Sequence, residues 1–278
     1  MSDTTICELS VVIPVYNAVK TIRRCVDSVL AEVASVDCSY EIILVDDGST
    51  DASLAVCTEM SQKNKHILVF TQKNAGPSTA RNLGIKMAKG KFIAFNDSDD
   101  EWLSGRLSVL LNELKADDNI GLVSAKYGTC HRAGKRTEIT YNREVFHNFF
   151  SPPTSVFRRQ AFVCGFCEDQ KYSEDMRFLL DFMQTSKCIC IPFLATIPIF
   201  EKCVFADSGL SAHIWLMEKG EIKNILYAHK IKKINCVVMI LAMLWSFVKF
   251  VRRALIFALI RIKKITRPSK SGKEVRYA

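Results

Sequence analysis

Four short apolar runs, separated by stretches of helical pattern, constrain this chain more than any other feature. Leu9–Val15 is nearly all apolar, contains Pro14 and stops at Asn17, so it reads as a strand buried on both faces. Ile22, Val26, Val29, Leu30 and Val33 then fall on one helical face. Residues 41–45 form a second strand, halted by Asp46-Asp47-Gly48, and Ser49, Thr50 or Asp51 can cap the helix that follows. Ile67–Thr71 is a third strand, followed by the turn Asn74-Ala75-Gly76-Pro77 and a helix over 79–88, with Ser78 as its cap and Gly90 past its end. Phe92–Phe95 is a fourth. Strands alternating with helices imply an α/β fold around a mostly parallel sheet, in which ligands bind beyond the carboxyl ends of the strands. Three of the four runs end in polar loops, Tyr16-Asn17, Asp46-Asp47 and Asn96-Asp97, so their polar groups converge on one edge.

Beyond residue 120 the pattern loosens. Residues 121–127 and 154–157 read as strands on either side of a loop at Ser151-Pro152-Pro153, and 173–184 reads as a helix capped by Ser173, with Met176, Leu179, Leu180 and Met183 as its apolar stripe. The end of the chain differs again. Residues 236–248 carry no charge, but as a helix they span only about 20 Å against a hydrocarbon core of about 30 Å. Lys249, Arg252 and Arg253 follow on one stripe, then an apolar stretch over 254–260 closed by Arg261, Lys263 and Lys264. This pattern predicts an amphipathic helical extension lying on a membrane surface rather than spanning it. The division expected is an α/β domain over 1–228 and a basic amphipathic tail over 229–278.

Charge supports that division. The chain carries +9, and residues 229–278 hold thirteen Lys or Arg against Glu274 alone, so the tail carries +12 and the remainder −3. A nucleic-acid partner would require the positive charge on the folded domain, so none is expected; an anionic lipid surface suits a basic tail. The eleven cysteines include one CxxC pair, Cys164 and Cys167, with no second pair to complete a zinc site, and buried thiols in a reducing cytosol are expected. Residues 1–8 show no charged-then-apolar targeting pattern.

The chemistry is carried by acidic groups at strand exits. Asp97-Ser98-Asp99-Asp100 follows a strand directly. It suits a hard cation and a sugar hydroxyl, and equally an acidic turn that caps a helix. Asp46 can accept from a base or ribose, or can cap. Arg81, one turn into a helix at the same edge, offers a planar fork to a pyrophosphate or forms a surface ion pair. Glu174-Asp175 opens a later helix, where a carboxylate can serve the helix dipole or act as a general base.

Taken together, four segments resemble family-two glycosyltransferases of the GT-A fold. They are Ser10-Val11-Val12-Ile13-Pro14-Val15-Tyr16-Asn17, Val45-Asp46-Asp47-Gly48-Ser49-Thr50-Asp51, the stretch from Asn74 through Arg81 to Gly84, and Phe95-Asn96-Asp97-Ser98-Asp99-Asp100. The likeness runs from about residue 9 to 114 and continues more loosely through Thr154 to Arg159, Gly165-Phe166-Cys167-Glu168, Glu174-Asp175 and Gly209-Leu210-Ser211. The resemblance implies a GT-A nucleotide-binding sandwich. Pro14, Tyr16, Asn17, Asp46, Arg81 and Asp97 would line the nucleotide-sugar pocket, Asp99 would ligate Mn2+ or Mg2+, and Asp175 would be the base of an inverting transfer. The implied donor is a nucleotide-diphosphate sugar, UDP-sugar foremost, giving a hexosyl or N-acetylhexosaminyl group to a hydroxyl of a glycan or lipid-linked acceptor. The implied setting is bacterial surface-polysaccharide synthesis on the cytosolic face of the inner membrane. Two departures stand out: Cys167 occupies a position where the family usually has Asp, and Ala206-Asp207 precedes Gly209 where many relatives carry His.

Other classes lack their motifs. No G-x-G-x-x-G follows the first strand, no Walker P-loop occurs, and the Gln-x-x-Arg-Trp of processive synthases is absent. A non-catalytic nucleotide-sugar-binding protein is the rival of a different kind; it would keep Asp46 and Asp97 but has no need of Asp99 and Asp175, which are both present.

Overall fold

The computed structural model describes residues 7–128, 135–162, 165–199 and 213–266, with side chains to residue 259. Strand β1 (Leu9–Val15) lies between β2 (Tyr40–Asp46) and β4 (Phe92–Phe95), parallel to both, and β3 (Ile67–Thr71) extends the parallel array beyond β2. This half matches the expected pattern because each strand returns through a helix: α1 (Ile22–Ala34), α2 (Ser53–Lys63) and α3 (Pro77–Met87). Past β4 the strands run both ways. β8 (Ser155–Arg158) is antiparallel to β4 and to β6 (Ile120–Tyr127). β9 (Lys187–Pro198) is parallel to β6 and antiparallel to β5 (Asp100–Trp102) and β7 (Thr137–Ile139). Among the described residues the sheet has nine strands, in the order β3-β2-β1-β4-β8-β6-β9-β5, with β7 also on β9.

The two faces of the sheet sort the apolar residues by parity. Leu9, Val11, Ile13 and Val15 meet α1, α2 and α4 (Arg106–Ala116) on one side, while Val12 meets α3 and α6 (Glu174–Phe182) on the other. Both sides of β1 are therefore core, which is why the strand is an unbroken apolar run. Helix α3 comes close enough that a Cβ on Gly84 would lie 2.2 Å from Val12 Cγ1. A third cluster joins Val145, just past α5 (Tyr141–Glu144), to Met176 and Leu180 of α6, Ile225 and Ala228 of α7 (Ile214–Lys230), and Ala242 of α8 (Cys236–Thr266).

Several expected caps are built differently. Helix α3 begins at Pro77 with Gly76 at its N-cap, so Ser78 lies inside it; proline is favoured there because its missing N–H is not needed. Gly90 is not the C-cap, which is Ala88. It is small because a Cβ would lie 2.5 Å from Ser10 N, and its N–H donates to Ser10 Oγ. Ser173 adopts a left-handed backbone (φ 54°) and its hydroxyl donates to Met217 O on α7 instead of capping α6. Helix α4 is capped from a distance: Glu32 of α1 accepts from Gly105 N and Leu107 N at 2.9 and 3.0 Å. Asp100, expected to cap, is a buried β5 residue that accepts from Tyr127 Oη at 2.6 Å. The N-cap of α2 is Ala52, and Asp51, one residue before it, accepts from Ser53 N at 2.9 Å.

Helix α8 is amphipathic, and its basic side packs against α7. Lys249 and Arg253 do not face outward. Lys249 pairs with Glu221, and Arg253 reaches Glu218 and Glu221 at 3.1 Å each, all on α7. Ser246, also turned inward, donates to Glu218 at 2.8 Å. The outward face is apolar instead, with Val237, Ile240, Leu241, Leu244, Phe247, Val248 and Leu255 each at least half exposed. The reason is pairing: the acids of α7 draw two of the cations inward, which turns the apolar stripe to the outside. Among the described residues no helix is long and apolar enough to cross a membrane.

Candidate active site

The loops after β1, β2 and β4 meet at the carboxyl edge of the sheet. Asn17 (φ 50°) accepts from Thr50 N at 2.8 Å and Asp51 N at 3.3 Å, and its own N–H donates to Ser49 Oγ at 3.1 Å. The loop after β1 is thereby tied to the loop after β2. Asp47 accepts from Gln72 Nε2, Ala75 N and Gly76 N within 2.9 Å and so shapes the turn that launches α3. Asp46 is different. Its Oδ2 accepts from Ser49 N at 3.2 Å, but its Oδ1 is buried without a hydrogen-bond partner. A buried acceptor left open in this way is costly unless a ligand donor meets it. Pro14 lies on β1 opposite Val45, one residue short of the Asp46 pairing position, and Tyr16 stands half exposed at the rim.

Arg81 joins motifs that sequence spacing leaves apart. Its guanidinium is buried, donates from Nη2 to Asp97 Oδ1 at 2.8 Å, and lies 3.6 Å from Glu174 Oε1 through Nη1. It also sits over the Phe166 ring at 5.2 Å. The exit of β4 and the start of α6 thus share one cation. Burial lowers the proton affinity of Arg81, but Asp97 and then Glu174 outweigh it and raise its pKa. Nε and Nη1 make no hydrogen bond in the protein and can serve an anionic ligand.

Burial raises the pKa of Glu174 to about 7, reinforced by Asp175 and opposed by Arg81. Asp175 is also raised by burial, held back by hydrogen bonds from Met176 N at 2.8 Å and Asn148 Nδ2 at 3.2 Å and by Arg81. Two adjacent carboxyls at a desolvated helix start do not ionise independently. A group of this kind, with its proton affinity moved toward neutrality, is suited to proton transfer.

Asp99 lies two residues beyond Asp97 and lines a cleft of about 430 Å³ with Tyr16, Asn17, Val19, Asp51 and Ser98. Pro14, Asp46, Arg81, Asp97 and Asp175 lie outside that lining. The predicted residues therefore divide into Tyr16, Asn17 and Asp99 in the cleft, Arg81, Asp97 and Asp175 beside it through the 97–99 turn, and Pro14 and Asp46 at the ends of β1 and β2. The turn rests on Cys25, whose thiol donates to Asp97 O and accepts from Asn96 Nδ2. Among the described residues no three His, Cys, Asp or Glu side chains gather around a cation site. A cation at Asp99 would therefore have to draw its remaining oxygen ligands from a donor diphosphate and water. Asp207 lies outside the described residues, as do Cys164, Gly209 and Ser211.

Some site residues were not singled out from the sequence. Asn82, beside Arg81, accepts from Phe166 N at 2.7 Å and donates to Phe166 O and Glu168 Oε1 at 2.9 and 2.8 Å. It holds the 165–168 segment against α3 without using Cys167. A Cβ on Gly165 would lie 2.4 Å from Asn82 Oδ1 and would push that amide off the segment. Phe166 in turn stacks on Phe178 at 4.3 Å, which sets the ring beneath Arg81. The available signal was position: Asn82 sits inside the quoted 74–84 segment.

A parallel half-sheet with loops that converge on a partnerless Asp46 oxygen and an Arg81–Asp97 pair, continued by a mixed half-sheet, is the GT-A glycosyltransferase fold. Residues 10–167, more than half of the chain, match glycosyl transferase family 2, and the chain belongs to that family. It is similar to an uncharacterized glycosyltransferase of Rickettsia felis, 38% identical over 144 residues that make up 52% of this chain and 22% of that one. The chain thus spans about a quarter of the length of such curated relatives. Among solved structures, S. aureus TarS 1-349 in complex with UDP-GlcNAc superposes with a TM-score of 0.62 at 21% identity, covering 85% of this chain and 70% of that one. Mannosyltransferase PcManGT from Pyrobaculum calidifontis, in complex with GDP-Man and Mn2+, gives 0.61 at 15% identity, covering 95% and 82%.

Proposed function

We propose that the protein is an inverting glycosyltransferase that moves a sugar from a nucleotide-diphosphate sugar, foremost a UDP-sugar, to a hydroxyl of a glycan or lipid-linked acceptor. The observation that carries this reading is Arg81, one buried cation bridging Asp97 of the donor turn and Glu174 beside Asp175. A donor held at the first group presents its anomeric carbon toward the second. Asp46 Oδ1 accepts from the nucleoside, Pro14, Tyr16 and Asn17 shape its pocket, and Asp97 faces the ribose side. Arg81 turns its remaining donors toward the phosphates. Asp175 takes the proton of the acceptor hydroxyl as that oxygen bonds to the anomeric carbon and the bond to the diphosphate breaks, which inverts the centre. Asp99 would hold a Mn2+ or Mg2+ ion, whose charge would offset that building on the departing diphosphate. The Mn2+ and GDP-Man of one similar structure and the UDP-GlcNAc of the other support this choice of donor and cation.

The catalytic domain is assigned to residues 1–228 and the membrane-attaching extension to 229–278. The apolar outer face of α8 suits the acyl boundary of a bilayer, and the basic tail composition suits anionic headgroups. Burying one such side chain contributes roughly 1.5–3 kcal/mol, so a few suffice for attachment. On this reading the enzyme works peripherally on the cytosolic face of the inner membrane, beside lipid-linked acceptors of polysaccharide synthesis.

The test is a thermal-shift panel of UDP- and GDP-sugars with and without Mn2+, since a ligand that binds only the folded state raises its apparent stability. Asp175→Asn is then assayed with the donor that shifts most. Donor binding with turnover lost is expected; full turnover would overturn the assignment of the base, and no metal-dependent shift with any donor would overturn the function.

A further inference from the structure

Three contacts lie along one short segment. Asn148 Nδ2 donates to Asp175 Oδ2 at 3.2 Å, while Asn148 Oδ1 accepts from Phe150 N at 2.9 Å, which fixes which end of the amide meets the carboxylate. Two residues earlier, Phe146 O accepts from Trp245 Nε1 at 3.1 Å and lies 3.5 Å from Lys249 Nζ, both on α8. Lys249 is itself anchored by Glu221. The segment starts at Val145, buried against Met176 and Ala242, and Phe149 N donates to the buried carboxyl of Glu144 at 3.1 Å. Trp245 is nearly half exposed, so apolar packing alone does not account for an indole there. Its N–H closes one end of a chain of contacts whose other end is Asp175.

We propose that segment 145–149 is a strap through which helix α8 positions the Asp175 carboxylate, with Asn148 and Trp245 as its positioning residues. The inference rests on the reading of Asp175 as the base. It gives the membrane-facing helix a part in arranging the acceptor side of the site. The charged groups around Asp175 are Arg81 from α3, Glu174 on its own helix and Glu144 from α5, and the strap adds a neutral donor to that set. A hydrogen bond to a carboxylate favours its charged form, so loosening the strap raises the pH at which Asp175 titrates.

The experiment is carbon NMR of the intact protein labelled at the aspartate carboxyls, with the Asp175 signal identified by its loss in Asp175→Asn. Asn148→Ala is expected to raise the Asp175 midpoint by roughly half to one pH unit. Trp245→Phe, which keeps a ring and removes the N–H, is expected to raise it less. The double variant is expected to match Asn148→Ala alone, because both substitutions open the same path. Trp245→Leu serves if the Phe variant does not fold, and Leu255→Ser on the exposed face of α8 is the control. An unchanged midpoint in Asn148→Ala overturns the strap, as does a Trp245 effect no larger than the control's, or one that adds fully to Asn148→Ala. Donor turnover by Asp175→Asn, measured separately, bears on the base alone, so the two readings fail independently.

Discussion

The donor half and the helical half of this molecule hold their polar groups by different means. Around β1–β4, most polar side chains are placed by backbone N–H groups in the loops themselves: Asp47 by residues 75 and 76, Asn17 by 50 and 51, Asp46 by 49. Around α5–α8, they are placed by side chains from distant helices: Glu218 by Arg253 and Ser246, Glu221 by Lys249, Asp175 by Asn148. The first arrangement is written in contiguous motifs and fixes the loops at the sheet edge. The second depends on helix packing and can be altered by whatever touches α8. Arg81 belongs to both.

The most severe break of that comparison is at Arg81. Removing Arg81 leaves Asp97 and Glu174 uncompensated, and because Asp97 is 30% exposed the loss falls below the roughly 3–5 kcal/mol of a fully buried pair. Arg81→Met should therefore lower the melting temperature strongly and abolish donor-induced stabilisation, with both read in one thermal-shift series. Arg81→Lys should rescue folding better than donor binding, because a point charge cannot reproduce the fork.

A smaller effect tests the helical half through pH. Burial raises the Glu144 carboxyl from 4.5 to about 8. For an acid raised on folding, the folded state holds the proton longer, so its contribution to stability is full below about 4.5 and is lost as pH rises toward about 8. Glu144→Gln removes this dependence. Urea denaturation is expected to show the variant gaining on the native protein across that window, and parallel curves at every pH would contradict the burial argument.

Within the donor half, Glu32→Ala deprives α4 of both cap bonds, and a lost cap costs about 0.5–2 kcal/mol. The expected result is a lower urea midpoint with donor affinity retained. On the outer face of α8, Leu241→Ser with Leu244→Ser should leave the melting temperature nearly unchanged, since both side chains are more than half exposed, while reducing co-sedimentation with anionic vesicles. Retained vesicle binding would argue against this face as the lipid contact. The smallest effect is expected at the exposed Arg23–Glu59 pair, where Arg23→Gln should not shift the melting curve measurably.

The parallel half and its site loops were legible because period and punctuation act over a few residues: β1 as a buried run, Asp46 and Asp97 at strand exits, Arg81 one turn into α3. Helix caps were less legible. Ser78 and Ser173 have the right chemistry for caps, yet Pro77 starts one helix earlier, and Ser173 is drawn to Met217. The inward pairing of Lys249 and Arg253 was not legible either, because nothing local reveals that Glu218 and Glu221 lie opposite them.

The sequence by itself determined the alternation of strands and helices, the acidic exits on one sheet edge and the family to which they belong, because each depends on neighbours within a turn or a strand. The tertiary structure alone decided that Arg81 spans Asp97 and Glu174, that Asn82 clamps the 165–168 segment, and that α8 turns two cations inward and its apolar side chains out. Those outcomes depend on pairings across 16 to 93 residues and beyond, where burial makes a partner worth finding and no local pattern names it.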